Sequence, residues 1–250
     1  MGRIYNQDYT INYFDSDLFQ NAKITSILRF FENNAVMQSE SLEIGLDYYE
    51  QEGVIWVLHK WDVKINRIPK FKEKINVTTQ PYSFKGFYAY RYYEVLDSKG
   101  EKIITANTEW LFLNAVKKRP IKIISEMYNK YGLTEEDNKP LKIRDINAPE
   151  NYSEEKTFSV RRSDIDSNHH VNNIQYVEWA VEAVPDEIIL RYDLTDLIVV
   201  YKKEANPESE IFSRIKVEKS DNRLICHHLI SDKEKDVCVM ETVWEEKIPK

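Results

Sequence analysis

Two hundred and fifty residues suffice for one large domain or two small ones, each with a buried core. An apolar share of 42% with 12% aromatics excludes a disordered chain, and no apolar run approaches the ~18 residues of a membrane span. The formal charge of −7 argues against nucleic-acid binding, which draws on a positive surface.

The first ten residues carry neither an apolar stretch nor Arg-rich amphipathic character, so the expected location is the cytoplasm. Ile24, Ile27, Leu28, Phe31 and Ala35 follow the spacing of one helix face, with Gly45 as the stop. Segments rich in aromatic and β-branched residues then predict strands at Val54–Val63, Ile75–Thr79, Phe87–Leu96 and Ile103–Asn114. Asp97-Ser-Lys-Gly100 is a hairpin turn signal between the last two. From Lys117 to Lys156 the pattern weakens into a polar connector punctuated by Pro120, Pro140 and Pro149, with one short helix around Ile124–Tyr131.

The pattern then repeats. An extended piece at Thr157–Arg161 leads through a polar loop to a helix striped by Val171, Ile174, Val177, Val181 and Val184. Strands follow at Leu197–Tyr201, Ile211–Val217, Leu224–Ser231 and Val237–Trp244. Phe14-Asp-Ser-Asp17 echoes Ser163-Asp-Ile-Asp166, and Asn107-Thr-Glu-Trp110 echoes Glu241-Thr-Val-Trp244, at matching places in the element order. The reading is an internal duplication with units at 1–116 and 157–250 joined by a linker at 117–156. Each unit is of α+β class, an antiparallel sheet wrapped around a long helix.

Cys226 and Cys238 are expected to be free thiols, and without CxxC or HExxH spacing neither a metal nor another cofactor is expected. Trp56 and Trp61 read as core aromatics and His59 as a satisfied or exposed histidine; His227 and His228 carry no partner signal. The densest polar cluster is Ser163-Asp-Ile-Asp-Ser-Asn-His-His-Val-Asn-Asn173, just before the second helix. Helix capping accounts for one or two of these residues. It does not require Asp166, Asn168 and His170 at alternate positions, where an extended backbone would aim three hydrogen-bonding groups into one volume. A helix N-terminus beside them suits a developing oxyanion.

Asp166-Ser-Asn-His-His-Val-Asn-Asn-Ile-Gln-Tyr176 closely resembles the signature of the plant and bacterial acyl-acyl carrier protein thioesterases, a double hot-dog family. Val200-Tyr-Lys-Lys-Glu204 resembles its second signature, and Ile55-Trp-Val-Leu-His-Lys-Trp61, Arg67-Ile-Pro-Lys70 and Trp110 occupy its expected places. The resemblance implies two tandem hot-dog units, the first binding the acyl tail and the second catalytic. It also implies hydrolysis of fatty acyl-acyl carrier protein to free fatty acid, with Asp166, Asn168, His170 and Glu204 as the catalytic network. Glu204 suits a general base on water, with His170 holding or relaying the proton. Asn168 suits a donor to the thioester oxygen or a group that orients the attacking water. Asp166 either fixes that geometry or attacks directly as a nucleophile. Plant members often carry a cysteine directly after this glutamate; here Ala205 stands there.

The expected partner is acyl carrier protein. An acidic partner would meet this acidic chain at a basic patch: Lys117, Lys118 and Arg119, Arg161 and Arg162, or Lys202 and Lys203. Monomer and homodimer stay open. The competing readings are an acyl-CoA thioesterase, a hot-dog dehydratase, and a non-catalytic acyl-binding protein.

Overall fold

The apolar stripe that begins at Ile24 is helix α1 (Ile24–Ser41) in a computed structural model that describes residues 1–166, 170–206 and 208–247. The chain divides into two units. The first comprises residues 1–59 and 65–143, and the second comprises residues 60–64 and 144–250.

In the first unit α1 lies on a sheet ordered β1 (Tyr5–Thr10), β3 (Lys74–Lys85), β4 (Tyr88–Leu96), β5 (Lys102–Asn114) and β2 (Val54–Ile65). Pairs β1–β3, β3–β4 and β4–β5 are antiparallel, with Val77 opposite Val95 and Tyr93 opposite Ala106. Two residues, β6 (Arg119–Pro120), pair antiparallel with the end of β5. The predicted face of α1 is buried, and the Phe31 ring meets Tyr93 at 4.9 Å. Polar residues on that helix are buried too, and three of them have side-chain partners. Asn34 Nδ2 donates to Val77 O at 2.7 Å, Gln38 accepts from Arg91 Nη1 at 2.5 Å, and Ser39 Oγ lies 2.8 Å from the Tyr131 hydroxyl. An unmet buried amide would cost about 1–3 kcal/mol, so these bonds fix the seating of the helix. The short helix α3 (Ser125–Tyr131) adds Met127, Tyr128 and Tyr131 to a cluster with Phe84 and Phe112, against which Trp56 packs.

Gly45 does not stop the first helix. The chain leaves α1 after Ser41, tucks Ile44 into the core, and starts an unforeseen helix α2 (Leu46–Glu52) behind Gly45. The Glu40 carboxylate accepts the Leu46 N–H at 2.9 Å, and a Cβ on Gly45 would fall 2.1 Å from that carboxylate. Strand β1 was also missed. Its sequence, Tyr-Asn-Gln-Asp-Tyr-Thr, alternates half-buried and exposed positions at a sheet edge and has no apolar run.

In the second unit, helix α4 (Asn173–Glu182) lies on an antiparallel series. Its order is residues 60–64 of β2, β8 (Tyr192–Tyr201), β11 (Asp236–Glu246), β10 (Arg223–Ser231), β9 (Glu210–Ser220) and β7 (Glu154–Ser159). A further short helix, α5 (Asp186–Arg191), leads into β8, which starts five residues before its predicted beginning. Side chains of β8 alternate. Tyr201 meets α4 through its ring contact with Tyr176, whereas Ile198 and Val200 pack with Ile146 from the segment after Ile143. Arg144 holds Glu241, and Lys60 Nζ holds Asp145 at 2.6 Å, so ion pairs tie the same segment down. Each unit thus has the α+β arrangement expected of it.

Candidate active site

The polar loop before α4 is built by its own hydrogen bonds. Buried Asp164 accepts from the Arg161 backbone N–H at 2.7 Å and from the Arg161 guanidinium at 2.8 Å, closing a 3-10 turn (Arg162–Asp164). Ile165 then bridges Val171, and the Asp166 N–H donates to His170 O at 2.8 Å. In return the His170 N–H donates to Asp166 Oδ1 at 3.3 Å. The backbone thus pairs residue 166 with residue 170, the two described members of the expected alternate-position set. Asn168 and His169 lie outside the described residues. At the start of α4, Asn172 Oδ1 accepts the Ile174 N–H at 2.9 Å, so one helix N–H is already taken.

Glu204 follows β8 closely in the chain. Its Oε2 lies 3.2 Å from His170 Nε2, and the two side chains are 54% and 29% exposed, so the pair is open to a substrate. Two tyrosines brace this contact in opposite directions. Tyr201, the last residue of β8, donates its hydroxyl proton to Asn173 O at 3.0 Å. Tyr176, on α4, accepts the N–H of Ala205 at 2.9 Å. Burial holds the Tyr176 hydroxyl well above its ordinary pKa, with the Ala205 N–H as the opposing influence, so it remains a neutral phenol. Both tyrosines stand inside the two sequence signatures, but a tyrosine on a helix stripe or a strand reads as core, and nothing in the spacing reveals the crossed bonds.

Other groups fall outside this constellation. Cys226 and Cys238 are buried free thiols in β10 and β11; burial pushes the Cys226 thiol up to about 12 and raises Cys238 well above its usual range. His59 Nδ1 lies 2.7 Å from Glu109 Oε1, as a satisfied histidine should. His227 and His228 do have partners, contrary to the sequence reading. His227 lies between Glu218 at 3.5 Å and Glu241 at 3.6 Å, and buried His228 lies 3.0 Å from Thr242 Oγ1. Cross-strand pairing creates these contacts, and local spacing does not reveal them. Among the described residues no group of three or more His, Cys, Asp or Glu side chains could hold a metal ion. Of the basic clusters, Lys117, Lys118 and Arg119 are exposed; Arg161 is engaged with Asp164; Arg162 and Lys203 are exposed; Lys202 lies 4.0 Å from Asp236.

The profile of the acyl-ACP thioesterase N-terminal domain, where ACP is acyl carrier protein, matches residues 2–131, and that of the C-terminal domain matches residues 147–246. The chain is 24% identical to a chloroplastic acyl-[acyl-carrier-protein] hydrolase of Cuphea viscosissima, an alignment that covers 98% of this chain and 63% of that one. It is 24% identical to a chloroplastic dodecanoyl-[acyl-carrier-protein] hydrolase of Cinnamomum camphora, over 99% of this chain and 69% of that one. It therefore spans less than two thirds of the Cuphea relative's length. Among solved structures, a Lactobacillus plantarum protein assigned as an oleoyl thioesterase matches 100% of this chain and 98% of its own, with a TM-score of 0.90 and 23% identity. The 12:0-ACP thioesterase of Umbellularia californica matches 99% of both chains with a TM-score of 0.84 and 19% identity. At these identities the structural likeness is one of fold, the hot-dog fold that the sequence signatures implied. With profiles of both halves matched over most of its length, the chain belongs to the acyl-ACP thioesterase family.

Proposed function

We propose that the protein hydrolyses the thioester of fatty acyl-acyl carrier protein, releasing free fatty acid and so ending chain elongation. The observation that carries this reading is the open His170–Glu204 contact of 3.2 Å beside the start of α4. Glu204 takes a proton from water as its oxygen attacks the thioester carbonyl carbon, and His170 holds the carboxylate in place and relays the proton. Asn168 donates to the developing oxyanion. Collapse of the tetrahedral species breaks the carbon–sulfur bond, and the carrier thiolate leaves with the relayed proton. Exposed Arg162 and Lys203, close in sequence to Asp166 and Glu204, offer the positive charge an acidic carrier needs. The first unit binds the acyl tail in this scheme. Enlarging apolar side chains on β2 or α1 then shifts the chain-length profile, an outcome read by gas chromatography of released acids.

The test is hydrolysis of a panel of acyl-carrier-protein and acyl-CoA thioesters of graded chain length. Free fatty acid released faster from the carrier-protein series supports the proposal. A preference for the coenzyme A series would replace it with an acyl-CoA thioesterase, and no release from either would end it.

A further inference from the structure

The duplication supplies an internal control for the mechanism. Residues 12–24 of the first unit match the described residues of 161–173 in the second, with an offset of 149 in numbering. In both, a 3-10 turn is closed by an aspartate that accepts the backbone N–H three residues before it, Asn12 to Asp15 at 2.9 Å and Arg161 to Asp164 at 2.7 Å. In both, a bridge follows, Ser16 with Ala22 and Ile165 with Val171. The N–H of Lys23 meets Asp15 O, and that of Asn172 meets Asp164 O, both at 2.8 Å. Helices α1 and α4 then start at matching positions, Ile24 and Asn173.

The aspartates inside the two loops share two bonds. Asp17 N–H donates to Asn21 O at 2.8 Å, as Asp166 N–H does to His170 O. Asp17 Oδ1 accepts the N–H of Asn21 at 2.9 Å, as Asp166 Oδ1 accepts that of His170 at 3.3 Å. Asp17 Oδ1 also accepts the Phe19 N–H at 2.8 Å. The first loop has none of the other chemistry. Asn21 stands in the place of His170 and Phe19 in that of Asn168, and the loop meets Pro69 and Lys70 by backbone pairing. A loop without the histidine and the asparagine still carries this aspartate with its hydrogen bonds, so the carboxylate has a loop-closing role that does not depend on the chemistry.

We infer that Asp166 is a positioning residue, not a nucleophile: its bonds to the backbone of residue 170 hold His170 where it faces Glu204. This rests on the proposed thioester hydrolysis at the same site, and it leaves Glu204 as the carboxylate that acts on water. No acyl group is then transferred to Asp166, and water oxygen enters the product acid directly.

Asparagine separates the alternatives, because its Oδ1 accepts the same backbone N–H bonds but cannot attack a thioester. Single-turnover and steady-state rates are to be measured for wild type, Asp166→Asn and Asp166→Ala, with intact mass excluding deamidation and thermal melting run in parallel. Asp166→Asn is expected to keep kcat within about tenfold of wild type, whereas Asp166→Ala loses about 10²-fold or more in kcat with KM little changed, as a displaced histidine would. In the first unit, Asp17→Ala should lower the melting temperature and Asp17→Asn should not. An Asp166→Asn protein that melts like wild type yet is as inactive as Asp166→Ala overturns the inference, as does an acyl adduct on Asp166 in quenched reactions. If wild type itself hydrolyses nothing, the proposed function fails, and the melting of Asp166→Asn against Asp166→Ala still reads the loop-closing role.

Discussion

Glu204 and His170 are far apart in sequence and come together because a strand end and a helix-leading loop meet, with Tyr176 and Tyr201 fixing the distance. Glu204→Gln keeps the shape and deletes the base, so turnover should fall at least ~10²-fold, with His170→Ala comparably damaged. Tyr176→Phe leaves the buried Ala205 N–H without its acceptor. That should cost about 1–3 kcal/mol of stability, measured by urea unfolding, and lower kcat more than it changes KM. The thiols are bystanders. Burial keeps both neutral, so Cys226→Ser with Cys238→Ser should leave turnover within a small factor, and alkylating reagents at pH 8 should label the unfolded protein far faster than the folded one. At this scale the sequence offered candidates and not their geometry. Two signatures pointed to Asp166, His170 and Glu204, but the crossed tyrosine bonds exist only after α4 and β8 pack, and the backbone pairing of residue 166 with residue 170 has no signal in the spacing.

Among the elements, long helices and central strands were legible because a buried face imposes a period. The stripe from Ile24 to Ala35 became α1, and Phe31→Ala should cost about 3–5 kcal/mol by emptying the space beside Tyr93, read from chemical denaturation. Edge strand β1 and short helices α2 and α5 were not legible, since half-exposed or brief segments impose no period. In β10, burial pushes the His228 pKa down to about 3 from 6.5, with nearby His227 a lesser cause. The neutral ring suits the folded state, so its full stability is present above pH 6.5. It is lost as pH falls toward 3, by up to about 1.4 kcal/mol per pH unit, because only the unfolded chain gains the proton. His228→Gln should flatten that part of a stability–pH curve measured by denaturant titration.

At the scale of the molecule, the duplication was visible in two tetrapeptide echoes, and its depth was not. The echo of Phe14-Asp-Ser-Asp17 in Ser163-Asp-Ile-Asp166 extends to shared turns, bridges and carboxylate bonds between residues 12–24 and the described residues of 161–173. Sequence could not show this, because backbone hydrogen bonds leave side-chain identity free, and Asn21 serves the fold as well as His170 does. One copy has the residues proposed for chemistry and the other has the matching loop bonds without them, so the proposed reaction belongs to the second unit. The most direct measurement is single-turnover release of fatty acid from purified acyl-acyl carrier protein by wild type and by Glu204→Gln, with circular dichroism to check folding. The account predicts rapid release by wild type and a rate at least ~10²-fold lower for the variant. Equal rates from two folded proteins would contradict it.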